Sequence, residues 1–276
     1  MRKMRRLRSF RKYIHTFQLG IQSAVEYRAN FVLGIVGSVF SITILTYLWT
    51  AIFDSQSPGA TVFGYTYREM ITYTLIAAVT AKIIQAGFEY DVAEDIKEGG
   101  LNKFIIRPIG YLPYKIYSFL GSKLIYIVVS FILIFLILFI LNRLIQVEIN
   151  LVNIGYFLIT LLLALVLNFF IFFSITTIAF WLENVSYIFE APKILLVILS
   201  GGIFPLDVFD DTILSFLNYL PFKYTVNYPV DVLIGKYQGM ELVTGMGLQV
   251  FWIVAFALLS KLLWGIGIKK YIAIGG

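Results

Sequence analysis

Long apolar runs, one after another, decide most of what this chain can fold into. They recur at roughly 31–53, 68–89, 116–142, 153–182, 188–205 and 242–268, and about 20 residues of helix cross a hydrocarbon core roughly 30 Å thick. Lipid offers backbone groups no hydrogen bonds, so runs of this kind must fold as helices. Composition agrees: 59% of the 276 residues are hydrophobic and 14% charged, whereas a soluble domain has about 25% charged residues. The expectation is an all-α membrane protein, one transmembrane domain over 1–276 with six transmembrane helices. The second run is the least apolar, with Arg68, Glu69 and Lys82 in or beside it, and Pro205 closes the fifth and shortest. The first run is longer than a signal-peptide core and follows a basic leader, so it reads as a retained span.

Lysine and arginine near the span ends set orientation. With the N-terminus inside, Arg2, Lys3, Arg5, Arg6, Arg8, Arg11, Lys12 and Arg28 face the cytoplasm, joined by Lys97, Lys103, Arg107, Lys115, Lys193, Lys269 and Lys270. Only Arg143, Lys223 and Lys236 fall outside, with Arg68 at the border. Both termini are therefore expected in the cytoplasm, and the location is a cytoplasmic (plasma) membrane. The same clustering explains the net charge of +6 as an orientation signal, and nucleic acid is not an expected partner.

Two segments between or before the spans are not plain loops. In the leader, 1–28, Leu7, Phe10, Ile14, Phe17, Ile21 and Val25 recur every three or four residues, away from Arg5, Arg8, Arg11, Lys12 and His15. That pattern predicts an amphipathic helix at the inner lipid interface. Between spans five and six, 206–241 holds two short apolar pieces. Asp210 or Asp211 can cap the first, which ends near Pro221; the second, Val226 to Ile234, is expected to be broken by Pro229 and closed by Gly235. Neither is long enough to cross, so re-entrant helices packed against protein on the extracellular side are expected.

Chemistry of the enzymatic kind finds few residues. There is no Cys and one His, which removes thiol nucleophiles and thiolate metal sites and leaves no His-based triad; no catalytic or metal-binding residue is assigned. Leu199-Ser200-Gly201-Gly202 matches a nucleotide-binding signature, but it lies at the end of an apolar run and the chain has no phosphate-binding P-loop motif. Small residues at Gly201 and Gly202, before Pro205, read instead as close helix packing. No carboxylate falls at mid-membrane, where it would cost about 2.5–3.5 kcal/mol. That weakens an ion-coupled secondary transporter without removing it, and a non-transporting scaffold or immunity protein also stays open.

The richest segment is the inner loop at 90–110. Asp91, Glu94 and Asp95 fill the first turns of a helix, with Lys97 near its end, and Gly99 with Gly100 supplies a stop. Leu101, Phe104 and Ile105 give a second short piece an apolar face before Arg107 and Pro108. The string Asp95-Ile96-x-x-Gly99-x-Leu101-x-x-x-Ile105-x-Arg107-Pro108, placed after the second of six spans, resembles the coupling loop of the membrane subunit of type-2 ABC exporters. The leader resembles that family's connecting helix. Gly201-Gly202-Ile203-Phe204-Pro205-Leu206, followed by Leu220-Pro221, resembles its fifth span and outer re-entrant helices. Gly100 departs from the pattern.

The resemblance covers essentially the whole chain and is closest to stand-alone bacterial permeases. It implies a dimer with a second permease subunit, identical or a paralogue, resting on two copies of a separate ABC ATPase. ATP and Mg²⁺ would sit on that ATPase and no cofactor on this chain. The loop and leader would carry the ATPase's motion into the spans, with Glu94, Asp95 and Arg107 in docking. Aromatic, charge-poor spans suit a hydrophobic or amphipathic cargo such as a drug, a peptide antibiotic or a lipid-linked molecule.

Overall fold

The computed structural model describes residues 2–26, 28–106, 109–146, 150–182, 185 and 188–271, and side chains throughout these except at 2–10, 28–32, 35–36 and 105–106. Among them the chain is almost wholly helical. The only strand-like feature is one isolated bridge between Val62 and Tyr65.

Eleven α-helices follow in order: α1 (Arg2–Glu26), α2 (Arg28–Asp54), α3 (Tyr67–Ile84), α4 (Glu89–Lys97), α5 (Asn102–Ile106), α6 (Tyr111–Ile145), α7 (Leu151–Thr176), α8 (Glu190–Leu199), α9 (Asp211–Tyr219), α10 (Asn227–Ile234) and α11 (Gly239–Gly267). Among the described residues, five stretches are long and apolar enough to cross a membrane: Gly37–Asp54, Tyr67–Lys97, Tyr111–Ile145, Leu151–Phe180 and Gly239–Lys270. The expected fifth span over 188–205 is not one of them. Its helix, α8, has 10 residues, about 15 Å of rise. The apolar run continues to Phe204, but the helix stops where the Tyr73 hydroxyl takes the Gly201 carbonyl at 2.7 Å and the Asn227 amide takes that of Ser200 at 2.8 Å. Tertiary partners end this helix, and the sequence run does not show them.

The second span also departs from a continuous 68–89. A capping box between Thr66 and Glu69 starts α3, yet α3 ends at Ile84 and the chain turns through Gly87, at φ +78°, before α4. A helix cut there leaves carbonyls without partners. The Asn168 side chain of α7 donates to the Ile84 carbonyl at 2.6 Å and answers one of them. In the outer segment Asp210 caps α9 through the Thr212 amide. Pro229 does not break the second piece: it lies in the first turn of α10, where a missing N–H costs nothing. Residues 227–233 of α10 are all buried.

Helix α1 packs along α6, and its contact face is not the apolar stripe. Thr16, Gly20 and Ala24 are buried, while Ile14 and Val25 are 44% and 49% exposed and Phe17 and Ile21 lie between. Leu7 and Phe10 belong to α1, but their side chains lie outside those described. The two backbones touch: a Cβ on Gly20 would strike the Ser118 carbonyl, and one on Gly121 would strike that of Phe17. Small residues spaced by four permit that approach, and dispersion between the close backbones holds it. Tyr13 and Tyr117 stack beside the crossing at 4.8 Å.

Replacing either contact glycine should push the helices apart at a cost of about 1–3 kcal/mol. The chain has no cysteine, so a Tyr13→Cys, Tyr117→Cys pair reports the crossing by oxidative cross-linking. We expect cross-linking to be lost with Gly121→Leu and kept with Gly37→Leu, a position with open space around it. Persistence in the Gly121 variant would contradict the docking described.

Candidate functional site

At one end of the bundle α4 and α5 form a helical hairpin seated on rings. Phe88 packs on Phe119 at 5.4 Å and Phe169 at 4.9 Å. Phe104 meets Tyr111 and Tyr114, both at 4.9 Å, and Tyr111 stacks on Trp264 at 4.7 Å. Val92, Ala93, Ile96 and Leu101 complete the buried face. The hairpin is thereby fixed to α6, α7 and α11 by burial, worth about 25 cal/mol per Å² of apolar surface.

Charges then divide into two sets. Asp95 points inward, bonded to the Tyr111 hydroxyl at 2.6 Å and Lys103 at 3.0 Å, with Lys115 at 3.5 Å. Its side chain is 14% exposed. Asp95, expected in docking, here ties α4, α5 and α6 together. Gly100, which departed from the family pattern, has a reason here, since a Cβ would collide with Asp95 Oδ1. Gly99, at φ +79°, makes the expected stop. Asp91, Glu94 and Glu98 are exposed on α4 and its C-cap, Asp91 with only a 3.9 Å contact to Lys115, and Lys97 is half-buried. Ile105 lies in α5, its side chain outside those described, and Arg107 and Pro108 are outside the described residues.

The shortest ion pair among the described residues was not legible in the sequence. Glu89, 1% exposed at the first residue of α4, pairs with Lys193 of α8 at 2.7 Å. Lys193 also contacts Glu190 at 3.2 Å and lies over the Tyr90 ring at 4.3 Å, while the Tyr90 hydroxyl donates to Glu190. Leaving one member of a buried pair unpartnered costs about 3–5 kcal/mol; Lys193 keeps 20% exposure, which moderates it here. Lys193 also borders a 520 Å³ cavity between α2, α3, α7 and α8. Ile42, Leu45, Phe172, Leu196 and Ile203 give that cavity a largely apolar wall, and Ser41 and Asn168 add polar points.

At the opposite end Gly201, Gly202, Pro205 and Pro221 lie in the turns around α9 and α10, with both prolines buried. A polar cluster that sequence reasoning missed holds this end. Tyr65 offers its hydroxyl proton to Asp231 at 2.8 Å and Asp207 at 2.9 Å and accepts from Lys236 at 2.8 Å. Lys236 pairs with Asp207 at 2.8 Å. Asp231 is fully buried with Oδ2 unpartnered. Burial pushes its pKa up from 3.8 to about 7, with Lys236 and Lys223 pulling it back and Asp207 adding to the rise.

A family model described as "ABC-2 family transporter protein" matches residues 39–275. The chain therefore belongs to the ABC-2 transporter family and is its membrane (permease) subunit, a multi-helix membrane protein that forms the transport component alongside an ABC ATPase. No curated protein matches it.

The buried Asp231 gives a signed pH effect. Its native pKa lies above its unfolded one, so between about pH 4 and 7 the folded chain holds more proton and stability falls as pH rises. The thermal midpoint should drop from pH 5 to pH 7 in the wild type and flatten in Asp231→Asn. An unchanged slope in the variant would remove Asp231 as the cause.

Proposed function

We propose that this chain is the permease half of an ATP-driven exporter in a prokaryotic cytoplasmic membrane, with both termini and the α4–α5 hairpin in the cytoplasm. The observation that carries the reading is the Glu89–Lys193 pair, which joins the exposed hairpin to a helix bordering an apolar cavity. A push on α4 has a rigid aromatic seat behind it and a charged link to α8 beside it.

ATP and Mg²⁺ are bound by a separate ATPase present in two copies, which docks on the acidic row Asp91, Glu94 and Glu98. Closing of the ATPase dimer drives α4 and α5, and Lys193 passes the displacement to α8 and the cavity wall. A second permease, identical or a paralogue, covers the apolar side chains that α2 and α8 leave exposed, among them Phe40, Tyr47, Ile194 and Leu195. In this reading α1 lies at the inner interface. The membrane is crossed six times, with α8 and the turn after it as the fifth crossing and α9 and α10 re-entrant from outside. The largely apolar cavity, with a few hydroxyl and amide groups and with Lys82 and Lys193 in its wall, suits a hydrophobic or amphipathic cargo.

Docking is tested by co-purification. Glu94→Lys with Glu98→Lys should release the ATPase and leave the permease's own melting midpoint unchanged, because both side chains are exposed. If the ATPase stays bound and its turnover is still stimulated, the acidic row is not the docking surface.

A further inference from the structure

A second cavity, 780 Å³, lies between the end of α1, the turn from α3 to α4, and α6. Three lysines line it, Lys82, Lys115 and Lys123, together with one carboxylate, Asp91. Lys115 is neutralised by Asp95 and Asp91. Lys123 is only 8% exposed, and neither it nor Lys82 has a carboxylate within salt-bridge distance among the described residues. What Lys123 does have is the rings of Phe119 and Tyr126 at 5.6 and 5.3 Å on its own helix. A buried ammonium without an anion is costly. Here the charge is turned into a space large enough to admit one, with Ser23 and Gln85 on the wall as further hydrogen-bond donors.

Depth and wall chemistry indicate the anion's source. Helix α6 has 35 residues, a length of about 52 Å, against a hydrocarbon core of roughly 30 Å, so about two turns extend beyond the core at each end. Lys115 then lies at headgroup level and Lys123 about 12 Å further in. Ala24, Ala86, Phe88 and Phe119 give part of the wall an apolar surface, beside the polar Ser118, Ser122 and Tyr126. An aqueous anion would leave that surface uncovered, whereas a lipid's glycerol and upper acyl chain cover it. Arg11 and Lys12 on α1 draw anionic lipid toward the same end of α6.

We propose that this cavity holds the phosphate headgroup of an anionic phospholipid from the cytoplasmic leaflet, with Lys123 and Lys82 as its counter-ions. The leaflet assignment rests on the orientation given above; the site itself does not depend on the ATPase. Lysine serves as a compact point charge for phosphate, and bound lipid would bridge α1, α3 and α6.

The test uses the full-length chain without ATPase, so its failure leaves the export reading untouched. In micelles containing equal phosphatidylglycerol and phosphatidylcholine, native mass spectrometry should show phosphatidylglycerol retained about tenfold over phosphatidylcholine, equivalent to one charge-assisted contact. Lys82→Met with Lys123→Met should abolish the preference, and Lys261→Met, at an exposed position on α11, should keep it. The double variant should melt no lower than wild type in phosphatidylcholine nanodiscs, since the buried ammonium is gone; a lower midpoint overturns the unpaired charge on which the inference rests. Equal retention of the two lipids by wild type, or a preference that survives in the double variant, overturns the site. Protection by inorganic phosphate alone, lost in the double variant, overturns the lipid source.

Discussion

The contact on which the rest depends is one ion pair between two short helices. Glu89 is buried at the start of α4 with Lys193 at 2.7 Å, and its second oxygen has no hydrogen-bond partner. A carboxylate so placed has one favourable position, and moving it by an ångström or two forfeits much of its compensation. Around the pair, Tyr90 and Glu190 form a partly exposed collar. In the proposed function this arrangement is what carries a displacement of α4 to α8.

Interruption of α3 makes that link possible. A continuous helix from Tyr67 onward would carry Glu89 along the α3 axis instead of across toward α8. The turn at 85–88 costs carbonyl hydrogen bonds inside an apolar layer, and Asn168 recovers one of them. The redirected chain gives α4 two faces, Val92 and Ile96 against the aromatic seat and Glu94 and Glu98 toward solvent. Asp95, Tyr111 and Lys103 then lock α5 beside it. At the far end Tyr65, Asp207, Asp231 and Lys236 do similar work for α10.

Much of this was legible in the residues. Apolar runs placed α2, α6, α7 and α11 with ends off by up to six residues, because length and hydropathy largely decide such helices. Asp210 and Gly99 marked a local start and a local stop through their own chemistry. What could not be read came from contacts distant in sequence. The end of α8 depends on Tyr73 and Asn227, the break after Ile84 on Asn168, and the burial of Asp95 on Tyr111. Periodicity in the leader identified a helix but pointed to its larger side chains. The packed face is set by Thr16, Gly20 and Ala24, whose signal is small size and not hydropathy. Glu89 and Lys193, 104 positions apart, gave no local sign of pairing.

Labels that report the distance between the hairpin and α8 test the link most directly. In the cysteine-free chain, Asn102→Cys and Ala191→Cys place spin labels on exposed positions of α5 and α8. In the permease–ATPase complex the distance distribution should be narrow and unchanged between the nucleotide-free and ATP–vanadate states, because the elements move together. Lys193→Gln should broaden it, and the exchange Glu89→Lys with Lys193→Glu should narrow it again. A distribution that Lys193→Gln leaves as it was would contradict the pair's role as the connection between the hairpin and the cavity wall.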